Sequence, residues 1–147
     1  MISREALLAF LRQDPYAVQA SVAAGGVPQA ALVGVAVSEQ FEIVFDTLGS
    51  TRKAENLRAN PVIALVFGSA AAGTVRTVQL EGAAVELQAG DPLIELYLVR
   101  FPDGRARQAW PGITWFGVTP AWLCYSDFAQ DPPAIVEYRA DELASLL

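Results

Sequence analysis

Apolar residues recur along this chain with two spacings, and the switch between them marks out the elements. In residues 3–13, Ala6, Leu7, Phe10 and Leu11 share one helical face, and Asp14-Pro15 ends the pattern. "YAVQASVA" then alternates as a strand and "GGVPQ" turns. "ALVGVAVS" reads as a nearly continuous apolar strand, joined through the polar "SEQ" to "FEIVFDT". Helical spacing returns from Thr51 to Ala59, and Asn60-Pro61 closes it. "VIALVFG" predicts a buried strand and "AAAG" a loose connection. "TVRTVQLEGAAVEL" predicts a long strand, with Gly82 marking a bulge or bend. Asp91 as N-cap and Pro92 at the first helical position open the helix "PLIELYLVRF". "PDGRARQAWPG" is the one long irregular stretch. "ITWFGVTPAWLCYSDF" reads as one or two strands with Pro120 at an edge or turn, "AIVEYR" as a strand and "ADELASLL" as a terminal helix.

This makes about seven strands with hairpin-length links early in the chain and no regular strand–helix alternation. The expected fold is mainly β, of the α+β kind: an antiparallel barrel with short peripheral helices. No internal repeat or composition shift divides the chain, so residues 1–147 are expected to form a single domain.

Composition narrows the function. Of 147 residues, 53% are hydrophobic, enough for one full core without disulfides. Mean hydropathy is positive, +0.33, yet no apolar run approaches the roughly 20 residues of a spanning helix. "MISREALLAFLRQD" carries charges on both sides of a short amphipathic pattern and reads as a first helix, not a signal peptide. The expectation is a cytoplasmic protein with no membrane partner. A net charge of −6 leaves no electrostatic footprint for general nucleic-acid binding.

The chain has no histidine and one cysteine. Imidazole catalysis, histidine metal ligation and an internal disulfide are therefore excluded, and no metal site is expected. Cys124, in "AWLCYSDF", has no cation nearby in sequence to lower its pKa and reads as a buried inert thiol. Any chemistry is expected to come from an organic cofactor, with no catalytic residue assigned to the chain.

The stretch Asp46 to Leu57, "DTLGSTRKAENL", is electrostatically odd. A helix start already carries about half a positive charge, and here Arg52 and Lys53 add two cations to it. Hydroxyls at Ser50 and Thr51 precede them, and Gly49 lies in the turn. Two readings stand on these residues alone. One is a solvated charged face, with a dipole mismatch of about 0.3–1 kcal/mol. The other is a seat for a phosphate-like dianion, in which dipole, fork and point charge cooperate once the anion is bound.

"VFDTLGSTRKAENLRANPVIALVF" resembles the core signature of the pyridoxamine 5'-phosphate oxidase-like, FMN-binding split-barrel family. The spacing from Thr47 to Arg52-Lys53 and on to Asn60-Pro61 matches without a gap. "RTVQLEG" and "GVTPAWLCYSDF" are similar to later strands of that family. The resemblance implies an antiparallel split β-barrel and a homodimer holding FMN in clefts between its subunits, acting on a small-molecule substrate. Carried over by position, Arg52 and Lys53 would hold the FMN phosphate with help from Ser50 and Thr51. Asp46 and Thr47 would lie along the ring or ribityl chain, and backbone of Leu32–Ala36 would face the ring edge. Thr77 stands where the oxidases have a flavin-contacting glutamine, and Trp110 or Trp115 from the other subunit would cover the ring.

The chain also departs from the oxidases. Ala31 and Ala36 replace an arginine and a lysine that hold flavin phosphate and reach substrate, and the terminal tryptophan–arginine segment has no counterpart. Tyr97 and Arg100 fall near a family tyrosine and arginine that bind substrate phosphate. The function implied is an FMN-dependent oxidoreductase on a small molecule other than pyridoxamine phosphate. The alternatives are a non-catalytic flavin or deazaflavin storage or sensing module, a haem-using relative disfavoured by the missing histidine, and a dimer without cofactor.

Overall fold

In the computed structural model, residues 2–69 and 75–146 are described; the expected "AAAG" connection lies outside them. The elements in chain order are α1 (Arg4–Gln13), β1 (Tyr16–Val22), β2 (Pro28–Gly34), β3 (Ala36–Val37), β4 (Ile43–Leu48), α2 (Arg52–Ala59) and β5 (Val62–Ser69). β6 (Arg76–Glu86), α3 (Pro92–Arg100), α4 (Gly104–Arg107), β7 (Ile113–Asp127), β8 (Ala134–Arg139) and α5 (Ala140–Ser145) follow.

The strands form one antiparallel sheet in the order β2-β1-β5-β6-β7-β4-β3, and β8 pairs with the second half of β7. β2 and β3 sit at opposite ends of that order, yet only Val35 separates them in the chain. The sheet must therefore curl until its two edges approach, which makes it a split barrel. The continuous strand expected over "ALVGVAVS" is thus two strands. Val35 N–H donates to Pro15 O at 2.9 Å, the last bond on the β1 side, and Ala36 then changes partner to Val44 on β4. A hydrophobic run cannot report such a change of partner, because both halves are apolar, although Leu32 in the first is exposed and Ala36 and Val37 in the second are buried.

The interior is filled by the inward residues of the paired strands, among them Ile43, Phe45, Ile63, Leu65, Leu80, Phe116 and Leu123. The Phe45 and Phe116 rings stack with centroids 5.8 Å apart. Leu7 and Leu11 of α1, with Ala54 and Leu57 of α2, complete this core. A second cluster lies outside the sheet, where Ile94, Tyr97 and Leu98 of α3 cover Ala36, Val44 and Trp115. The helix starts as expected: Asp91 Oδ1 accepts from Leu93 N–H at 2.9 Å, with Pro92 first in the helix.

β7 is one strand of 15 residues, not two with a turn. β4 pairs with it up to Val118 and β8 only from Trp122, so Pro120 falls in the gap between those partners, where its missing N–H breaks no ladder with them. On its other edge Pro120 opposes Gly82, at a shift of register between Glu81 and Gly82. A Cβ on Gly82 would run into the Thr119 carbonyl, which is why this bulge takes glycine. The irregular stretch before β7 contains the one-turn helix α4.

β1 alternates in the inverse of the usual sense. Gln19 and Ser21 face the interior with Leu65, while Tyr16 and Val18 face out. In register with Val18 stand Leu32 and Val66, and with Ala20 stand Ala30 and Ala64. The outer face of β2-β1-β5 is consequently an apolar sheet surface, with Leu32 66%, Tyr16 51% and Val66 46% exposed.

Candidate cofactor-binding site

The turn Leu48–Thr51 leads from β4 into α2. Gly49 is pinned there: its N–H donates to Gly112 O at 2.7 Å, and its carbonyl accepts from Arg58 Nη1 at 2.6 Å. An added Cβ would lie 3.0 Å from Arg58 Nη2. The absence of a side chain at Gly49 thus makes room for Arg58 and the β7 entrance. Arg58 also holds Glu86 with both carboxylate oxygens, at 2.7 and 3.0 Å, and draws its pKa below the usual range.

Thr51 is the N-cap of α2, its hydroxyl accepting from Ala54 N–H at 3.4 Å. The same hydroxyl lies 2.9 Å from Thr47 Oγ1, to which Lys53 Nζ donates at 3.4 Å. Arg52 is exposed and, like Lys53, forms no ion pair with any described residue. Two cations therefore stand at the positive end of an eight-residue helix, and the one carboxylate of its first turn, Glu55, forms an ion pair with neither.

They border a cleft of about 400 Å³ that also takes in Ser50 and Thr51 on one side and Gln19, Ser21 and Gln29 on the other. Asn56, one turn into α2, donates its amide to both Ser21 Oγ and Gln29 Oε1 at 3.0 Å and so fixes the two walls together. Gln19 is 1% exposed, and its Oε1 has no hydrogen-bond partner. Such an orphaned acceptor costs about 1–3 kcal/mol in the free protein. Ala30 and Ala31 line the cleft as well, one from each face of β2, so it opens across the β2 edge onto the apolar outer surface.

Of the residues expected to hold a cofactor, the structure gathers Thr47, Ser50, Thr51, Arg52 and Lys53. Three others lie elsewhere. Asp46, adjacent to Thr47, necessarily faces the opposite side of β4. Its carboxylate accepts from Tyr97 Oη at 2.9 Å and from Arg107 Nε at 3.2 Å. Trp115, opposite Asp46 on β7, is buried in the α3 cluster with no partner for its Nε1. Thr77 pairs with Gly68, three residues beyond Leu65, and projects outward beside a buried Val78. Gln19, Ser21, Gln29 and Asn56 were missed by sequence reasoning. The signal was present in "YAVQASVA", where the polar residues share a face with Ala17 and the apolar ones do not.

Arg107 also reaches Tyr97 Oη at 3.3 Å and pairs with Asp103. Burial, and then the Asp46 carboxylate, push the Tyr97 ionisation well above the ordinary range. This network ties α3 and α4 to β4; it presents no free acid or base to the cleft. Among the described residues there is no cluster of three His, Cys, Asp or Glu for a metal. No described helix is long and apolar enough to cross a membrane.

The family model of pyridoxamine 5'-phosphate oxidase matches residues 3–125, and the chain belongs to that family. No curated protein matches it in sequence. Among solved structures it is similar to a haem-binding protein from Mycobacterium smegmatis, with 10% identity and a TM-score of 0.82 over 99% of this chain. The chain spans 61% of the length of that protein. A protein related to general stress protein 26, from Clostridium acetobutylicum, superposes with a TM-score of 0.72 and 18% identity, covering 97% of this chain and 99% of its own. A pyridoxamine 5'-phosphate oxidase-related, FMN-binding protein from Nostoc punctiforme gives 0.68 and 13%, over 92% and 87%. At these identities the likeness establishes the split-barrel fold.

Proposed function

We propose that the chain binds FMN by its phosphate at the start of α2 and serves as a cytoplasmic flavin-dependent oxidoreductase on a small molecule. The observation that carries this reading is the pair of Arg52 and Lys53, free of acidic partners, beside Thr47 and the capped helix start. A phosphate dianion there would complete the dipole, take a forked contact from Arg52 and a point charge from Lys53, and accept from Ser50 and Thr51. The phosphate end of FMN therefore fits the residues present. Family membership and the FMN-binding Nostoc relative support the choice of flavin over other phosphates.

The ring end is incomplete in one chain, since no aromatic residue lines the described cleft. The cleft opens beside the exposed surface of Tyr16, Val18, Leu32 and Val66, and a second copy seated on that face would bury it and wall the cleft. A homodimer with cofactor at its interface follows. The bound flavin would supply hydride or electron transfer, and the protein would supply position, anion neutralisation and exclusion of water. Chain chemistry fits such a role, because without histidine the cleft offers hydroxyls, amides and cations but no base near neutral pH.

Ala36 is 5% exposed and extends nothing toward a substrate, where the oxidases it resembles carry a lysine. This supports a substrate other than pyridoxamine phosphate. The test is the absorbance spectrum of the purified protein, before and after reductant and again in air. A flavin spectrum that bleaches with a nicotinamide donor and recovers supports the reading. Flavin that binds but resists every donor makes the chain a storage or sensing module, and protein that refuses added FMN overturns both.

A further inference from the structure

Cross-strand pairing lines up one unbroken row of side chains over the outer face of six strands. Ala30 of β2 pairs with Ala20 of β1, and Ala20 with Ala64 of β5. Ala64 pairs with Glu81 of β6, Glu81 with Trp122 of β7, and Trp122 with Arg139 of β8. Directly paired residues share a face, and the alternate positions Leu65, Leu80 and Leu123 are buried on the other one. At one end of the row, Ala30 borders the phosphate cleft. At the other end, Arg139 is exposed and forms no ion pair with any described residue. β8 lies beyond residues 3–125, the part matched by the family model.

A chain of net charge −6 meets a second copy most readily across a face with little charge. This row and its neighbour, from Leu32 to Glu137, carry only Glu81, Glu137 and Arg139 as charged residues. The apolar strands β2, β1 and β5 alone span about 10 Å, whereas all six span about 24 Å. Only the wider face approaches the roughly 800 Å² that each partner gives to a stable dimer. The two-fold axis of such a contact passes near the middle, between β5 and β6. Set across the strands, it would lay β2 on β2 and leave both clefts open. Set along them, it lays β8 of each copy over β2 of the other, and Arg139 over Ala30.

We propose that Arg139 of a second copy reaches round the β2 edge into the cleft and is a third cation on the bound phosphate, beside Arg52 and Lys53. The inference rests on the phosphate seat and the dimer proposed above, and adds a residue that neither of them requires. Without an anion, Arg139 meets two like charges and opposes the contact. With a phosphate dianion between them, all three cations share charge-assisted bonds to it. Phosphate binding and dimerisation then strengthen one another by the same factor.

The probes are glycerol 3-phosphate and FMN, titrated calorimetrically into wild type, Arg139→Met and Arg139→Lys. Each is also made in the Leu32→Glu background, where a charge on the apolar face separates the copies. In the dimer, Arg139→Met is expected to weaken both probes about tenfold, and Arg139→Lys, which keeps the charge, to stay closer to wild type. In the Leu32→Glu background neither substitution is expected to change affinity, since Arg139 lies across the sheet from the cleft of its own chain. Saturating glycerol 3-phosphate is expected to tighten the wild-type dimer at least tenfold in sedimentation velocity, and to leave the Arg139→Met dimer unchanged. A structural role at the start of α5 would move both backgrounds alike. Equal losses in the two backgrounds, or none in either, overturn the assignment while leaving the seat intact. If wild type binds neither probe, the seat fails and the assignment with it. If Leu32→Glu sediments as wild type does, the interface fails instead.

Discussion

Asn56 Nδ2 donates to Ser21 Oγ at 3.0 Å, joining the helix that carries the two cations to the strand that carries Gln19. The same amide group reaches Gln29, the cross-strand partner of Ser21, so one side chain closes the cleft wall at three elements. Asn56→Ala leaves two partly buried acceptors without their donor. It should cost about 1–3 kcal/mol in a denaturant melt. Phosphate affinity should fall as well, although Asn56 does not line the cleft, because the cations and the opposite wall lose their fixed spacing.

The ion pair of Arg58 with Glu86 should make the turn before α2 sensitive to acid. Arg58 lowers the Glu86 pKa, chiefly by hydrogen bonding. A carboxylate depressed in this way contributes stability that is present above its ordinary value of about 4.3 and lost as pH falls through its lowered value. Both side chains are more than one-third exposed, so the effect is small and screened by salt. Glu86→Gln is expected to be less stable than wild type at neutral pH and to match it in acid, as read from urea melts across pH.

Tyr97 and Asp46 give the opposite slope. The tyrosine's ionisation is raised, first by burial and then by the Asp46 charge, so its contribution is present below the ordinary tyrosine value of about 10 and is lost as pH rises through the raised one. Alkaline melts should show wild-type stability declining there, and Tyr97→Phe should remove that part of the decline. Asp46→Asn is expected to lower the melting temperature and to leave binding of glycerol 3-phosphate unchanged, since both carboxylate oxygens serve Tyr97 and Arg107. A selective loss of phosphate binding would return Asp46 to the site.

The apolar outer surface predicts the assembly. Leu32 stands between Val18 and the β2 edge at 66% exposure. Leu32→Glu places an unpaired charge in that surface and should convert a dimer into a folded monomer, read by sedimentation velocity. The monomer should also bind FMN more weakly than glycerol 3-phosphate binding alone would imply, because the ring loses its cover. An unchanged sedimentation coefficient would assign the face to something other than a second copy.

The strands and helices were legible because their period and punctuation are local. Asp91-Pro92, Asn60-Pro61 and Gly82 each act on their own backbone, and each did what its chemistry predicts. The break at Val35 was not legible, since a change of strand partner leaves the hydrophobic run unchanged. The same holds for the site. The place of Thr51, Arg52 and Lys53 at a helix start was readable, whereas Ser21 and Asn56 meet only through packing 35 residues apart in the chain, which no local pattern contains. Asp46 was misplaced by a simpler route: adjacent residues on a strand point to opposite faces, so Thr47 and Asp46 could not both line one cleft.

The most direct test of the account is FMN titration, followed by quenching of flavin fluorescence, into wild type and into the Arg52→Met/Lys53→Met double variant. The phosphate seat predicts at least a hundredfold loss, about 2.7 kcal/mol, with riboflavin binding weak and equal in both proteins. Equal FMN affinity in the two proteins would contradict it.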